Sequence, residues 1–208
     1  MEKKNTRHEI LEAALDLFSV NGYEATSISQ IASAVGIRKA SLYSHFANKQ
    51  DILDSVIKMV LDGYVQHSLF AGATWDDEKY TSDKMQMTPD DVARMVQGQV
   101  RYILHDTHIS RGRKMLVIEQ FRNQELAQLQ TKMNYEDVLN YFTGMIRFLI
   151  RNHQLCDADA RMMAAQFSSP ITVWINLCDR EPSREEEVIE LVGQHVIQFF
   201  DIYRLKEE

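Results

Sequence analysis

Apolar residues in this chain recur with the period of an α-helix almost from end to end. Ile10, Ala13, Ala14 and Leu17 follow i, i+3, i+4, i+7 and predict a first helix from about Thr6 to Asn21, stopped by Gly22. Ile28, Ile31, Ala32 and Val35 form a second, shorter stripe. Ser27 stands before it as a cap, and Gln30 three residues on completes a capping box. Gly36 marks a tight turn. A third helix is expected from about Lys39 to His45, with Leu42 pointing inward and Phe46 closing a small core. Asn48, helped by Asp51, caps a fourth helix. Its long stripe, from Ile52 and Leu53 through Val56 and Val60 to Tyr64, is expected to bridge this head and the rest of the chain.

Beyond that helix, residues 70–88 lose periodicity and read as a loop or a short irregular helix. Thr88-Pro89-Asp90-Asp91 is a helix start, with proline at the first helical position and acids in the first turn. Helices are expected from there to about His105, from about Ser110 to Arg122, and over Gln124 to Asn152 with a break near Asn134. Asp157 opens a helix in which Pro170 should produce a kink. Ser183 with Glu186 reads as a second capping box, opening a last helix to about Leu205. No strand pattern, repeat or low-complexity segment interrupts this series. The fold class is all-α: an N-terminal three-helix, helix-turn-helix domain over residues 1–50 and a helical bundle over 51–208.

Composition narrows the function classes. Hydrophobic content of 45% and charged content of 25% are ordinary for a soluble globular chain, and 8 Gly with 3 Pro leave little punctuation. No apolar run approaches membrane-spanning length, and the opening Met-Glu-Lys-Lys-Asn-Thr-Arg lacks the apolar core of a signal peptide. Cys156 and Cys178 are expected to be two reduced thiols in a cytoplasmic protein. The net charge of −7 is unevenly spread. Residues 1–50 hold six basic and five acidic side chains, so the acidity belongs to the remainder.

Thr26 to Lys49 carries the most specific signal. A short helix, a glycine-centred turn and a second short helix with a polar outer face spell a helix-turn-helix, whose second helix enters the major groove of duplex DNA. Arg38, Lys39, Ala40 and Ser41 stand at the start of that helix, where side chains reach base edges. Arg38 and Lys39 can donate to guanine, and the Ala40 methyl can touch a thymine methyl. Tyr43, Ser44 and His45 lie one turn on, beside the phosphate wall, and Lys49 adds charge at the next helix start. Thr26 and Ser27 could bind phosphate through their hydroxyls. Lys3, Lys4 and Arg7 read either as a groove-following arm or as a solvated tail, and Tyr43 either as a contact or as core.

At these residues the chain resembles the TetR family of bacterial transcriptional regulators. The matching pieces are Ile10-Leu11-x-Ala13-Ala14-x-x-Leu17-Phe18, Gly22-Tyr23, Thr26-Ser27, Ile31-Ala32-x-x-x-Gly36-Ile37, Leu42-Tyr43-x-His45-Phe46 and Asn48-Lys49. The resemblance covers about the first quarter of the chain. It implies a homodimer with a DNA-binding head and a helical body that binds a ligand and forms the dimer. It also implies that Tyr43, His45 and Lys49 hold phosphates or the groove edge while Lys39, Ala40 and Ser41 face bases. One position departs from the family: Arg38 stands where Ser or Thr usually caps the recognition helix. Losing such a cap typically costs about 1 kcal/mol, and a DNA contact by Arg38 would be the return for it.

The last two helices carry apolar residues around most of their circumference, which predicts cover on two sides and hence a two-fold dimer interface. Tyr102, His105, Met115, Phe121, Tyr141, Phe142, Met145, Gln166, Phe167 and Trp174 are the candidates for a ligand pocket, for a small apolar or aromatic molecule. Aromatic and Met residues at helical spacing equally suit a plain core. His105 and His108 stand at i, i+3 without further ligands of suitable spacing, so neither a metal nor a cofactor is expected. The sequence thus predicts a ligand-released repressor on a palindromic operator, with activation left open. Two competitors are a DNA-bound regulator controlled by a protein partner and an all-α enzyme. The enzyme would need a nucleophile-base pair, a glycine-rich phosphate loop or an HExxH motif, and none stands in the sequence.

Overall fold

A computed structural model describes residues 5–67, 75 and 87–205. Among the described residues there are helices and turns and no strand. The helices are α1 Thr6–Asn21, α2 Ile28–Val35, α3 Lys39–Leu42, α4 Lys49–His67, α5 Pro89–His105, α6 Thr107–Glu119, α7 Gln124–Thr131, α8 Asp137–Arg151, α9 Ala160–Arg180 and α10 Glu185–Tyr203. They divide between two compact units. The first holds residues 1–68 and 106–130, the second 69–105 and 131–208.

The first unit is larger than a three-helix head ending at residue 50. α4, α6 and most of α7 belong to it, because α1 packs on α6 and α4 as well as on α2, and α4 packs on α6. Ile10, Ala14, Leu15 and Phe18 of α1 are fully buried, together with Ile52, Leu53 and Val56 of α4 and Leu116 of α6. Close approach of α4 and α6 depends on Gly112, where a Cβ would stand 2.5 Å from Val60 Cγ1.

Local signals fixed the ends of these helices. Asn5 Oδ1 accepts the His8 N–H at 3.3 Å to start α1. Ser27 Oγ accepts the Gln30 N–H at 3.2 Å, and Gln30 Oε1 accepts the Ser27 N–H at 2.7 Å, which is the capping box in full. Gly36 closes α2 in the left-handed region at φ 75, ψ 28, where glycine carries no Cβ penalty. Before α4, Asn48 Oδ1 accepts the Asp51 N–H at 2.9 Å and Asp51 Oδ2 accepts the Ala47 N–H at 2.9 Å.

The second unit packs α10 on α5 and α9, and α8 on α9. Thr88 and Asp91 open α5 with a reciprocal pair: Thr88 Oγ1 accepts the Asp91 N–H at 3.1 Å, and Asp91 accepts the Thr88 N–H at 3.1 Å. The break expected near Asn134 is a π-helical turn over Lys132–Glu136. Two other expectations fail. The helix expected from Asp157 starts at Ala160, with Asp159 as its cap, accepting the Arg161 and Met162 N–H groups. Ser183 forms no capping box. It lies in a 3₁₀ turn, Pro182–Arg184, and α10 begins after Arg184 with no side-chain cap. Three acids, Glu185 to Glu187, occupy its first turn instead, where the helix dipole favours them.

Candidate nucleic-acid interface

α3 is a single turn of α-helix, shorter than the expected reach to His45. Tyr43, Ser44 and His45 continue it as tight turns, with His45 N–H and Phe46 N–H both donating to Leu42 O at 3.0 and 3.2 Å. Two side chains anchor this short element. Leu42 is fully buried and Phe46 nearly so, four residues apart on one face. Everything between and before them points outward: Arg38, Lys39, Ala40, Ser41, Ser44 and His45 are exposed, and Tyr43 is 48% exposed. Tyr43 is therefore not a core residue. Arg38 occupies the N-cap position of α3 and makes no side-chain cap, which leaves its guanidinium on the outer surface.

The remaining residues of the expected interface divide differently. Thr26 has to be withdrawn as a phosphate ligand. It is 1% exposed, and its hydroxyl donates to Gly22 O at 2.8 Å inside the turn between α1 and α2. Ser27 is exposed, but its hydroxyl is engaged with Gln30 at both ends of the capping box. Lys49 is half-buried, with Nζ 4.1 Å from the Tyr23 ring centroid and 3.4 Å from Glu24 O. Tyr23 in turn donates to Gln50 Oε1 at 3.2 Å. Burial pushes the Tyr23 phenol above its ordinary value, and the Glu24 and Asp54 charges push the same way. Arg7 is not a loose arm: its guanidinium lies 4.7 Å from the Phe46 ring centroid and donates to Ser55 Oγ at 3.1 Å. Lys3 and Lys4 lie outside the described residues.

Behind this surface, α6 grips α1 along its length. Arg111 donates to Glu12 Oε2 at 2.7 Å and to Asp16 Oδ1 at 2.5 Å, and His108 Nε2 lies 2.7 Å from Glu12 Oε1. Burial alone would push the Glu12 carboxyl up, but hydrogen bonds and charge from His108 and Arg111 outweigh it and hold the group below its ordinary value. At the far end of α6, Glu119 is 2% exposed and accepts the Tyr23 N–H at 2.7 Å. These contacts join the helix-turn-helix to a helix nearly a hundred residues away, so no local pattern could announce them. Two buried charged residues, Arg113 and Glu119, are the oddity in an otherwise amphipathic stretch.

The expected ligand-pocket residues do not form one set. Tyr141, Phe142, Met145 and Phe167 are buried together in the second unit, with the Phe142 and Phe167 rings 4.9 Å apart. Trp174 is half-buried and joins them through His195, whose Nε2–H donates to Phe167 O at 2.9 Å. Tyr102 is half-buried in the same unit. Four residues are corrected. Phe121 is 90% exposed. His105 is exposed and pairs with Glu185 at 2.8 Å across α5 and α10. Gln166 lies on the outer face of α9, where it accepts from the Tyr203 hydroxyl. Met115 is buried in the first unit, not the second. The sequence reading also missed Trp75, placed in the expected loop. It is 4% exposed and sits against Tyr141 and Phe148, over Gly144, where a Cβ would stand 2.9 Å from its Cδ1.

Residues 10–56 match the family model described as bacterial regulatory proteins, tetR family. The chain is similar to the HTH-type transcriptional regulator HbdR of Aromatoleum sp. (strain CIB), with 45% identity over 60 residues, which is 29% of this chain and 26% of that protein. It is similar also to IcaR of Staphylococcus aureus (strain Newman), the negative transcriptional regulator of the biofilm operon icaADBC. That match has 41% identity over 56 residues, 27% of this chain and 30% of that protein. The chain thus spans less than a third of the length of these curated relatives. Two solved structures carry the likeness further along the chain as fold alone. A TetR family transcriptional regulator from Pseudomonas syringae pv. tomato superposes with a TM-score of 0.64 at 16% identity, covering 99% of this chain and 100% of that one. SmeT, the repressor of the Stenotrophomonas maltophilia multidrug efflux pump SmeDEF, does so with 0.62 at 20% identity, covering 96% and 91%. Residues 10–56 thus carry the sequence signature of the tetR family of bacterial regulatory proteins, and the likeness of fold extends over nearly the whole chain.

Proposed function

We propose that this protein is a DNA-binding transcriptional regulator and not an enzyme. It acts as a homodimeric repressor that leaves a palindromic operator when a small apolar or aromatic ligand binds its body. One observation carries this reading: a cationic outer surface from Arg38 to His45, rigidly seated by buried Leu42 and Phe46, on a helix-turn-helix that the family model matches. Arg38, Lys39, Ala40 and Ser41 face base edges, and Tyr43, Ser44 and His45 meet the groove wall. Lys49 presents its charge from the ring of Tyr23, where it is already positioned. Ser27 acts through its capping of α2.

The dimer forms through the last two helices. α9 leaves Met162 and Val173 exposed at 58% and 63%, with Gln166 and Ser169 between them on one stripe, and α10 leaves Ile202 exposed at 61%. A two-fold pairing of such a stripe buries it in both copies. The two heads then address sites about one DNA turn apart, roughly 34–36 Å. The aromatic cluster of Tyr141, Phe142, Phe167 and Trp174, with Tyr102 and Met145, supplies the lining for an apolar ligand. SmeT, of similar fold, has been solved with triclosan, and another structural relative is described as a flavonoid-responsive regulator, FrrA. A ligand that favours one body shape changes head spacing, and by linkage DNA weakens that ligand by the same factor. No helix among the described residues is long and apolar enough to cross a membrane, and the proposed action on DNA places the protein in the bacterial cytoplasm.

The test is selection of bound sequences from random duplexes by the full chain. A two-fold-symmetric site, bound with an affinity that falls steeply with salt, is the expected outcome. An asymmetric site, or no enrichment at low salt, would overturn the reading.

A further inference from the structure

A crevice of about 460 Å3 opens within the first unit, where α1, α4 and the start of α6 meet. That volume lies in the range of small-molecule sites. It is separate from the aromatic cluster assigned to the ligand above, and none of the groups that line it takes part in the proposed DNA contacts from Arg38 to His45. Leu11 and Met59 give it an apolar floor, and Arg7, His8, Lys58 and His108 bring nitrogen donors to it.

Each of its side-chain acceptors is engaged through one oxygen. Asp62 Oδ2 accepts from Lys58 Nζ at 2.8 Å. Asp106 Oδ1 caps α6, accepting the His108 and Ile109 N–H groups at 3.0 and 2.9 Å. Ser55 Oγ takes one bond from Arg7. The donors are in surplus. A guanidinium carries five N–H groups and an ammonium three, and the bonds just named use one of each. His8 Nε2 stands 3.6 Å from Glu12 Oε1, too far for a hydrogen bond, while His108 Nε2 is taken by that same oxygen and leaves Nδ1. A ligand that suits the surplus donors of Arg7, His8 and Lys58 brings acceptors on one end and apolar surface on the other, with the anionic end set toward Arg7 and away from Asp62 and Asp106.

We infer that the crevice between α1, α4 and α6 is a binding site for a small organic carboxylate, with the carboxylate on Arg7, His8 and Lys58 and the apolar body on Leu11 and Met59. Such a ligand ties α1 to α4. It also touches Arg7, whose guanidinium lies 4.7 Å from the ring of Phe46, the residue that closes the reading turn. The site thus lies one side chain from the DNA-reading element, inside the same compact unit.

Benzoate is the probe, titrated calorimetrically into the full chain, with benzyl alcohol and inorganic phosphate as the two half-ligands. Benzoate is expected to bind at least about tenfold more tightly than either, because each lacks one of the two complementary ends. Lys58→Gln and His8→Ala, both at exposed positions, should each weaken benzoate several-fold while leaving the melting temperature near that of the wild type. Met59→Trp, which fills the floor, should abolish binding; thermal melting of that variant verifies that it folds. Phosphate binding as tightly as benzoate, benzoate binding unmoved by Lys58→Gln and His8→Ala, or no benzoate heat at all would each overturn the assignment. None of these readouts involves DNA, so the site stands or falls independently of the regulator reading.

Discussion

Replacing Gly22 with alanine sets two costs against the first unit. The backbone there stands at φ 81, ψ 165, a region essentially reserved for glycine, in which a side chain costs on the order of 1–3 kcal/mol. The new Cβ would also lie 2.7 Å from Glu119 Oε1 and 3.1 Å from Ile118 Cγ2. Glu119 can retreat only by giving up the N–H of Tyr23, and an unmet buried polar group costs about 1–3 kcal/mol. Together these amount to roughly 2–6 kcal/mol, a large share of the ~5–15 kcal/mol by which a domain is stable. Urea unfolding followed by circular dichroism reads the loss as a lower midpoint at unchanged slope. A double-mutant cycle with Glu119→Ala separates the two costs. Without the carboxylate the Cβ meets Ile118 Cγ2 at 3.1 Å and Arg122 Nη1 at 3.9 Å, so the double variant should lose clearly less than the sum of the singles. Gly22→Ala within about 0.5 kcal/mol of the wild type, or strict additivity with Glu119→Ala, would refute the reasoning.

Two further outcomes follow from the same unit. Gly112→Ala places a Cβ 2.5 Å from Val60 Cγ1 and should cost about 1–3 kcal/mol by overpacking, recovered in part by Val60→Ala; thermal melts of the two singles and the double read this directly. Glu12 has its carboxyl held below its ordinary value of about 4.5 in the folded state, so the unfolded chain binds that proton more tightly and stability rises with pH through this range. The contribution is fully present above about 4.5 and is lost as pH falls toward the folded value. The stability advantage of wild type over Glu12→Gln should therefore shrink steadily below pH 4.5 in urea titrations, and an advantage independent of pH would contradict the role given to His108 and Arg111.

What the sequence made legible was local. The Ser27–Gln30 box, the stop at Gly22, the left-handed Gly36 and the Asn48–Asp51 start each need only residues within four positions of one another, and each stands where the pattern put it. The outward face from Arg38 to His45 was legible for the same reason, since Leu42 and Phe46 repeat at helical spacing. Ser183 misled because Arg184 uses its guanidinium on Glu187, at 2.8 and 2.6 Å, and the 3₁₀ turn after Pro182 removes the geometry a cap needs. α6 starts at Thr107, three residues before its expected start, because Asp106 alone separates it from α5 and a one-residue junction leaves no composition signal. The burial of Thr26, Glu119 and Trp75 depends on partners far along the chain. A threonine looks the same in sequence whether its hydroxyl faces a phosphate or the carbonyl of Gly22. The candidate pocket fared worst for that reason: Phe121 and Phe167 are the same residue type, yet one, in the turn after α6, is 90% exposed and the other, on α9, is fully buried.

The role proposed for the seated surface from Arg38 to His45 is to read bases. Its most direct test is the affinity of wild type and Lys39→Ala, measured by fluorescence anisotropy across a set of duplexes that carry each base substitution in the selected site. If Lys39 contacts a base edge, the variant loses about 1–3 kcal/mol on the preferred site and its discrimination collapses at one position in each half-site. An equal loss on every duplex, or no loss on any, would contradict the account.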